Sequence, residues 1–262
     1  MTSRVALVKT DKGIVEACQH AFDLLDDIDE LNVEDRDVAI KVGIYDQRNR
    51  NYPTLEVVRA VVNSFTRPHR VLLVESDNHH GKAMDRLQVW KEIFSERVVP
   101  FDLSHDHHGR EALVCGEKVQ LSHVLFKPTI LVSLHVLRKG TAGSIFKNLL
   151  GLIPDIRKER FHDKLGVVLV DIAEAVGWID FAVIDGTYVY GSEWEEGKPL
   201  ARERRNILVA GRDPVAVETV GGILAGEEPL SIPSIAVAKE RRLGETNIDR
   251  IEVLGESITK FV

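Results

Sequence analysis

The chemistry legible in this chain begins with lysines in costly places. Lys41 lies inside the apolar run 40–44, where an unpaired ammonium would lose its hydration. It is expected to meet a carboxylate or an anionic ligand. Lys147 follows a turn of small residues (Gly140, Thr141, Gly143, Ser144) at the end of an apolar strand. Backbone N–H groups of such a turn can cradle an anion, and Lys147 would add charge. Between positions 138 and 164, seven basic residues stand against three acidic ones, in a chain of formal net charge −7. A positive rim that draws an anion toward the turn is expected there. Asp185 ends another apolar run and precedes Gly186. That position suits a catalytic or metal-ligating acid as well as a plain turn. His135, by contrast, sits in an apolar strand and is expected to be a satisfied core residue.

Five of the ten histidines fall in two clusters, His79-His80 and His105-Asp106-His107-His108. Imidazole and carboxylate at these spacings can ligate zinc, nickel or iron. Polar surface loops have the same composition, so both readings stand and the metal is unknown.

Other chemistries are excluded more firmly. Gly-x-Ser-x-Gly, His-Glu-x-x-His, Gly-x-Gly-x-x-Gly and the Walker A spacing do not occur. Cys18 and Cys115 are the only cysteines. They cannot supply the four ligands of an iron–sulfur cluster, so none is expected. Free thiols in a reducing compartment are the simpler expectation. The net charge argues against general nucleic-acid binding. No apolar run approaches the roughly 18 residues of a membrane span, and no signal peptide stands out. A soluble, cytoplasmic chain with no membrane partner is expected; a homo-oligomer is left open.

These residues need elements to hold them. With 44% hydrophobic residues a sizeable core is available. Apolar runs at 5–8, 38–44, 71–75, 98–101, 129–134, 181–184, 207–210 and 251–254 read as strands. Several are rich in Val, Ile and Leu without alternation, as strands covered on both faces are. Helical stripes fall between them: Ile14, Val15, Cys18, Ala21, Phe22 and Leu25; Leu55, Val58, Val62 and Phe65 behind a Thr54 cap; Met84, Leu87, Trp90 and Phe94. Asp213-Pro214 reads as a helix start, and another helix opens near Pro233 and stops at Gly244. The expectation is a single α/β domain over 1–262 with a mixed or mainly parallel sheet and helices on both faces. A His-rich insertion falls near 104–119. The stretch 185–205 reads as irregular and long enough to cover a site.

The segments Ile40-Lys-Val-Gly43, Pro53-Thr54, Lys147-Asn-Leu-Leu-Gly-Leu-Ile-Pro154, His162, Ile184-Asp-Gly186, Gly211-Arg-Asp-Pro-Val-Ala-Val-Glu218, Ile232-Pro-Ser-Ile-Ala-Val-Ala238 and Ile251-Glu-Val-Leu-Gly-Glu256 follow one another in this order. Together they resemble the family called domain of unknown function 362. The resemblance implies a cytoplasmic α/β protein, in some relatives joined to an iron–sulfur module that two cysteines cannot supply here. The family favours Pro-Lys-x-Lys-Thr-His where this chain has Ser133 to Lys139; only Arg138 keeps a charge in a matching place. His162 matches a family position, where a neutral imidazole would serve as acid/base or touch an anion. A shorter likeness links Ile44-Tyr-Asp46 through Thr54 to the cofactor-phosphate segment of nickel-pincer lactate racemases, with Asn78 at the end of the next strand. The expected function is the binding of a small anionic or phosphate-bearing ligand or cofactor in a crevice at the strand C-terminal ends. Lys41, Asp46, Asn78, Lys147 and Asn148 would contact it, and His162 and Asp185 would be the catalytic candidates. Whether the protein is an enzyme is left open. The alternative is a non-catalytic metal-binding or redox-accessory protein.

Overall fold

In the computed structural model, which describes residues 2–26, 28–140, 142–191 and 202–262, the apolar runs become strands joined by helices. The first half contains β1 (Ser3–Lys9), α1 (Ile14–Leu25), α2 (Ile28–Leu31), β2 (Val38–Val42), α3 (Leu55–Ser64), β3 (Val71–Glu75), α4 (Ala83–Leu87) and β4 (Val98–Asp102). Then come the hairpin strands β5 (Arg110–Val114) and β6 (Glu117–Leu121), followed by β7 (Ile130–Arg138), α5 (Ile145–Asn148) and α6 (Leu165–Ala175). The last part contains β8 (Phe181–Tyr190), β9 (Arg202–Gly211), α7 (Pro214–Leu224), α8 (Pro233–Arg241) and β10 (Ile251–Gly255).

One eight-stranded sheet has the order β10-β1-β9-β8-β7-β2-β3-β4. Among the described strands of this sheet only β9 runs against its neighbours; the pairs β1/β10, β2/β3, β2/β7, β3/β4 and β7/β8 are parallel. The fold is therefore α/β with a mainly parallel, mixed sheet. Alternation along each strand sends side chains to two cores. Val38, Ile40 and Val42 pack with Phe22 of α1, Val58 and Val61 of α3, and Trp90. Ala39, Leu72 and Leu131 pack on the other side with α5, α6, α7 and the β5/β6 hairpin. Helices thus cover both faces. Among the described residues no helix is long and apolar enough to cross a membrane.

Local chemistry sets the helix ends. Thr54 Oγ1 accepts the Val57 N–H at the start of α3. Asp213 accepts the N–H groups of Val215 and Ala216, and Pro214 occupies the first position of α7. The stripe Met84–Phe94 spans α4 and a following 3₁₀ turn, with the backbone leaving helical geometry at Trp90. The polar stretch after β4 folds as the β5/β6 hairpin beyond its histidines. The expected irregular stretch 185–205 is corrected at both ends: β8 continues to Tyr190 and β9 begins at Arg202, so the two form an antiparallel pair. Polar residues on the outer reach of that pair hid it from an apolar-run reading. The middle of the stretch, 192–201, lies outside the described residues.

The chain leaves β2 toward β3 and β4 on one side, whereas β7 on the other side leads to β8. A crevice must open between the carboxyl ends of β2 and β7, at this switch in direction.

Candidate functional site

A cavity of about 280 Å³ lies at that switch point. Its floor is built around Lys41, which is fully buried near the end of β2, opposite Ser133 of β7. Lys41 Nζ donates to Glu75 Oε2 at 3.0 Å, Asn148 Oδ1 at 3.0 Å and the Val42 carbonyl at 3.1 Å. Asn148 also donates from Nδ2 to the Lys41 carbonyl and to Ser133 Oγ, so it ties β2 to β7. Burial lowers the Lys41 pKa, and Glu75 pulls it back up. The buried Arg86 stands 3.6 Å from Glu75 and donates to the Ile44 and Ser76 carbonyls. One carboxylate therefore faces two buried cations. Gly151 is required here: a Cβ on it would lie 2.6 Å from both Glu75 Oε1 and Lys41 Cε. Gly43 is likewise required, because a Cβ there would lie 2.4 Å from His135 Nδ1.

The upper wall carries more positive charge. Lys147, Arg138, Lys158, His135 and His162 all line the cavity, with Tyr45, Asn78 and Ile156 nearer the surface. Burial, then the neighbouring Arg138, lowers the Lys147 ammonium to about 8. Burial also lowers Lys158 to about 8; its Nζ donates to Ser76 Oγ at 2.8 Å and to the Asp77 carbonyl at 2.6 Å. Arg138 Nε is buried without a hydrogen-bond partner among the described residues. Burial, helped by Arg138, Lys41 and Lys147, holds the His135 ring well below its ordinary value, so it is neutral. Its Nδ1 is also without a partner among the described residues. The expected satisfied core histidine is thus corrected: His135 lines the cavity, with that nitrogen buried against Gly43. Burial and then Lys147 lower His162 as well. The only acids lining this space among the described residues are Glu75, turned to Lys41, and Glu159, 2.8 Å from His79 Nε2.

The structure brings Lys41, Asn78, Lys147, Asn148 and His162 to one cavity. Asp46 and Asp185 stand outside its lining. Asp46 is held by Arg48, which bonds its carboxylate through N, Nε and Nη2. Burial pushes the Asp46 carboxyl up, but the Arg48 bonds prevail and keep it below the ordinary range. Asp185 accepts from Thr54 N at 2.7 Å, Thr54 Oγ1 at 2.9 Å and Thr187 N at 2.9 Å. It fixes the entry to α3 from the neighbouring strand.

The expected anion cradle at the turn before α5 also needs correcting. The N–H groups of the turn are already taken, by the chain's own Glu218. Its carboxylate reaches from α7 and accepts from Ser144 N at 2.6 Å and Phe146 N at 2.8 Å. Gly143, at φ +69, packs against that carboxylate. Burial pushes Glu218 up to about 7 in spite of these bonds. Glu227 similarly accepts the Gly140 N–H at 2.7 Å. No single-residue signal marked Glu218; its place at the end of Gly211–Glu218 was the available hint. Glu75 and Lys158 were missed for the same reason, since only the packed chain reveals their partners.

The histidine clusters scatter among separate partners. His79 joins Glu159, whereas His80 packs edge-to-face with Tyr45 and lies 3.6 Å from Asp46. His108 meets His123 edge-to-face, and Asp106 holds His123 at 2.7 Å. Asp77, Asp102 and His105 bring their ligand atoms within 4.8 Å of one another. That group is already internally bonded: His105 Nδ1 lies 2.7 Å from Asp102, and Asp77 accepts the Ala83 N–H.

A cation-lined cavity at the switch point of an open α/β sheet is thus the feature the fold builds. A family model matches residues 38–222, from the first residue of β2 into α7, and the chain belongs to that family, Domain of unknown function (DUF362). Every cavity-lining residue named above, and Glu218, lies within the match. Comparison with curated proteins finds no match.

Proposed function

We propose that this cavity binds a small anionic, phosphate-bearing ligand or cofactor. One observation carries the reading. Lys147 and Arg138 meet in the cavity wall, and neither has a carboxylate partner among the described residues. Buried cations without a counter-charge are costly, and a bound anion offsets that cost. Arg138 offers a planar fork to phosphate or carboxylate, and Lys147 a point charge. Asn78 and His162 supply polar contacts, with Lys41 and Asn148 holding the floor. His162, neutral near pH 7, is the acid/base candidate. The free thiols Cys18 and Cys115 support a reducing, cytoplasmic setting.

Titration with inorganic phosphate, followed by melting temperature and calorimetry, tests the reading. Phosphate at about a hundred times its Kd should add about 2.7 kcal/mol of stability. Arg138→Met and Lys147→Met should each weaken binding by about tenfold or more, as loss of a charge-assisted bond does. No stabilisation by phosphate, and none by a small carboxylate, would defeat it. A metal-binding reading rests on Asp77, Asp102 and His105. It requires a transition metal to co-purify with the protein and to leave on Asp102→Asn.

A further inference from the structure

We propose that Lys147 is an imine-forming nucleophile toward a small oxo acid whose carboxylate is held by Arg138. This rests on the anion reading above and gives it a substrate class. Three lysines line the cavity, and they differ in what holds them. Lys41 is fixed by Glu75, Asn148 and a backbone carbonyl, and Lys158 by Ser76 Oγ and the Asp77 carbonyl. Those acceptors hold the ammonium protons of both. Lys147 has no hydrogen-bond acceptor among the described residues, so nothing holds its protons in place.

Its surroundings favour the neutral amine. The Lys147 pKa of about 8 reflects burial first and the adjacent Arg138 second. A desolvated lysine beside a second cation is a recognised route to an amine nucleophile. Arg138 keeps its charge over the same pH range and suits a carboxylate as a two-pronged donor. The cavity, about 280 Å³, falls at the small end of ligand sites and fits a molecule of few heavy atoms. His162 lines it too, close enough for the Lys147 charge to depress its pKa.

The step balances without an added reactant. The Lys147 nitrogen lone pair attacks the carbonyl carbon, a C–N bond forms, and the C=O π electrons move to oxygen. One proton passes from nitrogen to that oxygen and gives a carbinolamine. The second N–H proton then passes to the hydroxyl, which leaves as water while the nitrogen lone pair closes the C=N bond. His162 can carry each proton, accepting it from nitrogen and returning it to oxygen. There is no net oxidation or reduction.

The test uses glyoxylate as the probe, with cyanoborohydride to reduce any imine to carboxymethyl-lysine, on the full chain near pH 7. Peptide mass spectrometry then locates the label. Lys147 should label at least tenfold faster than exposed lysines such as Lys12 and Lys91, and its rate should rise with pH through about 8. Lys147→Arg should lose that fast labelling, with circular dichroism confirming that the variant is folded. Label spread evenly over the lysines, or fastest at another cavity lysine, overturns the inference. Phosphate binding, measured separately on the unlabelled protein, keeps the two claims apart. Phosphate stabilisation with even labelling leaves the anion reading standing and removes the imine. Selective Lys147 labelling without stabilisation by phosphate or by a small carboxylate removes Arg138 as anchor, and with it the oxo-acid assignment.

Discussion

Removing the Lys41 ammonium would leave the buried Glu75 carboxylate with Arg86, 3.6 Å away, and the more distant Lys158 as its cations among the described residues. Breaking a buried ion pair from one side typically costs about 3–5 kcal/mol. Lys41→Met should fall at the low end of that range, since Arg86 still compensates, and Lys41→Met combined with Glu75→Gln should recover part of the loss. Urea denaturation of the single and double variants checks this; a single variant as stable as the parent would show that the pair is not coupled. Lys147 makes a different prediction. Its amine is charged below about 8 and neutral above. Anion affinity should therefore be highest below that pH and fall as pH rises through it, leaving the weaker binding that Arg138 alone supports. Calorimetry with phosphate at fixed charge state, or with sulfate, reads this directly. An affinity that is flat across that range would mean that the Lys147 charge does not reach the ligand.

At the level of elements, the turn before α5 and helix α7 act together through Glu218. Its folded-state value of about 7 lies above the ordinary 4.5 of a glutamate. The native chain thus holds this proton more tightly than the unfolded chain does. The associated stability is fully present below about 4.5 and is lost as pH rises through about 7. Glu218→Gln cannot titrate, so the fall in urea midpoint between those pH values should flatten in that variant, whatever its absolute stability. An unchanged slope would assign the titration to another group. Gly151→Ala, which forces a methyl against Lys41 and Glu75, should destabilise by about 1–3 kcal/mol, as overpacking does. Much of this element layer was legible beforehand. The runs of Val, Ile and Leu in β2, β3 and β7, the Thr54 and Asp213 caps, and the stripe of α1 all announce themselves locally. Lys41 stood out because an ammonium inside such a run needs a partner. The partners did not, because Glu75, Arg86 and Lys158 are ordinary surface types until the packed chain buries them. His135 misled for a related reason: its strand is apolar, but Gly43, just past the end of β2, leaves room for its ring at the cavity wall. The long reach of β8 and β9 was hidden because Arg202 and Arg204 carry exposed polar side chains on a strand.

On the scale of the whole molecule, the cavity draws on the ends of β2, β3 and β7, and on the segment after β7, all inside the family match at 38–222. Outside it lie β1 and β10, which pair with each other and, through β1, with β9. That arrangement has a consequence for the order in which the molecule is made. Strand β1 is made before the other described strands, yet its two partners, β9 and β10, are made after them. Strands β2, β3 and β4 have near neighbours in the chain and can pair while synthesis continues, but β1 must wait with both faces of its Val-Ala-Leu-Val run uncovered. Pairings distant in sequence close slowly and leave apolar segments open to association. In refolding followed by pulsed hydrogen exchange, the amides of Val5–Val8 should gain protection after those of Val71–Val74. The same delay makes nascent β1 the segment a chaperone would be expected to hold.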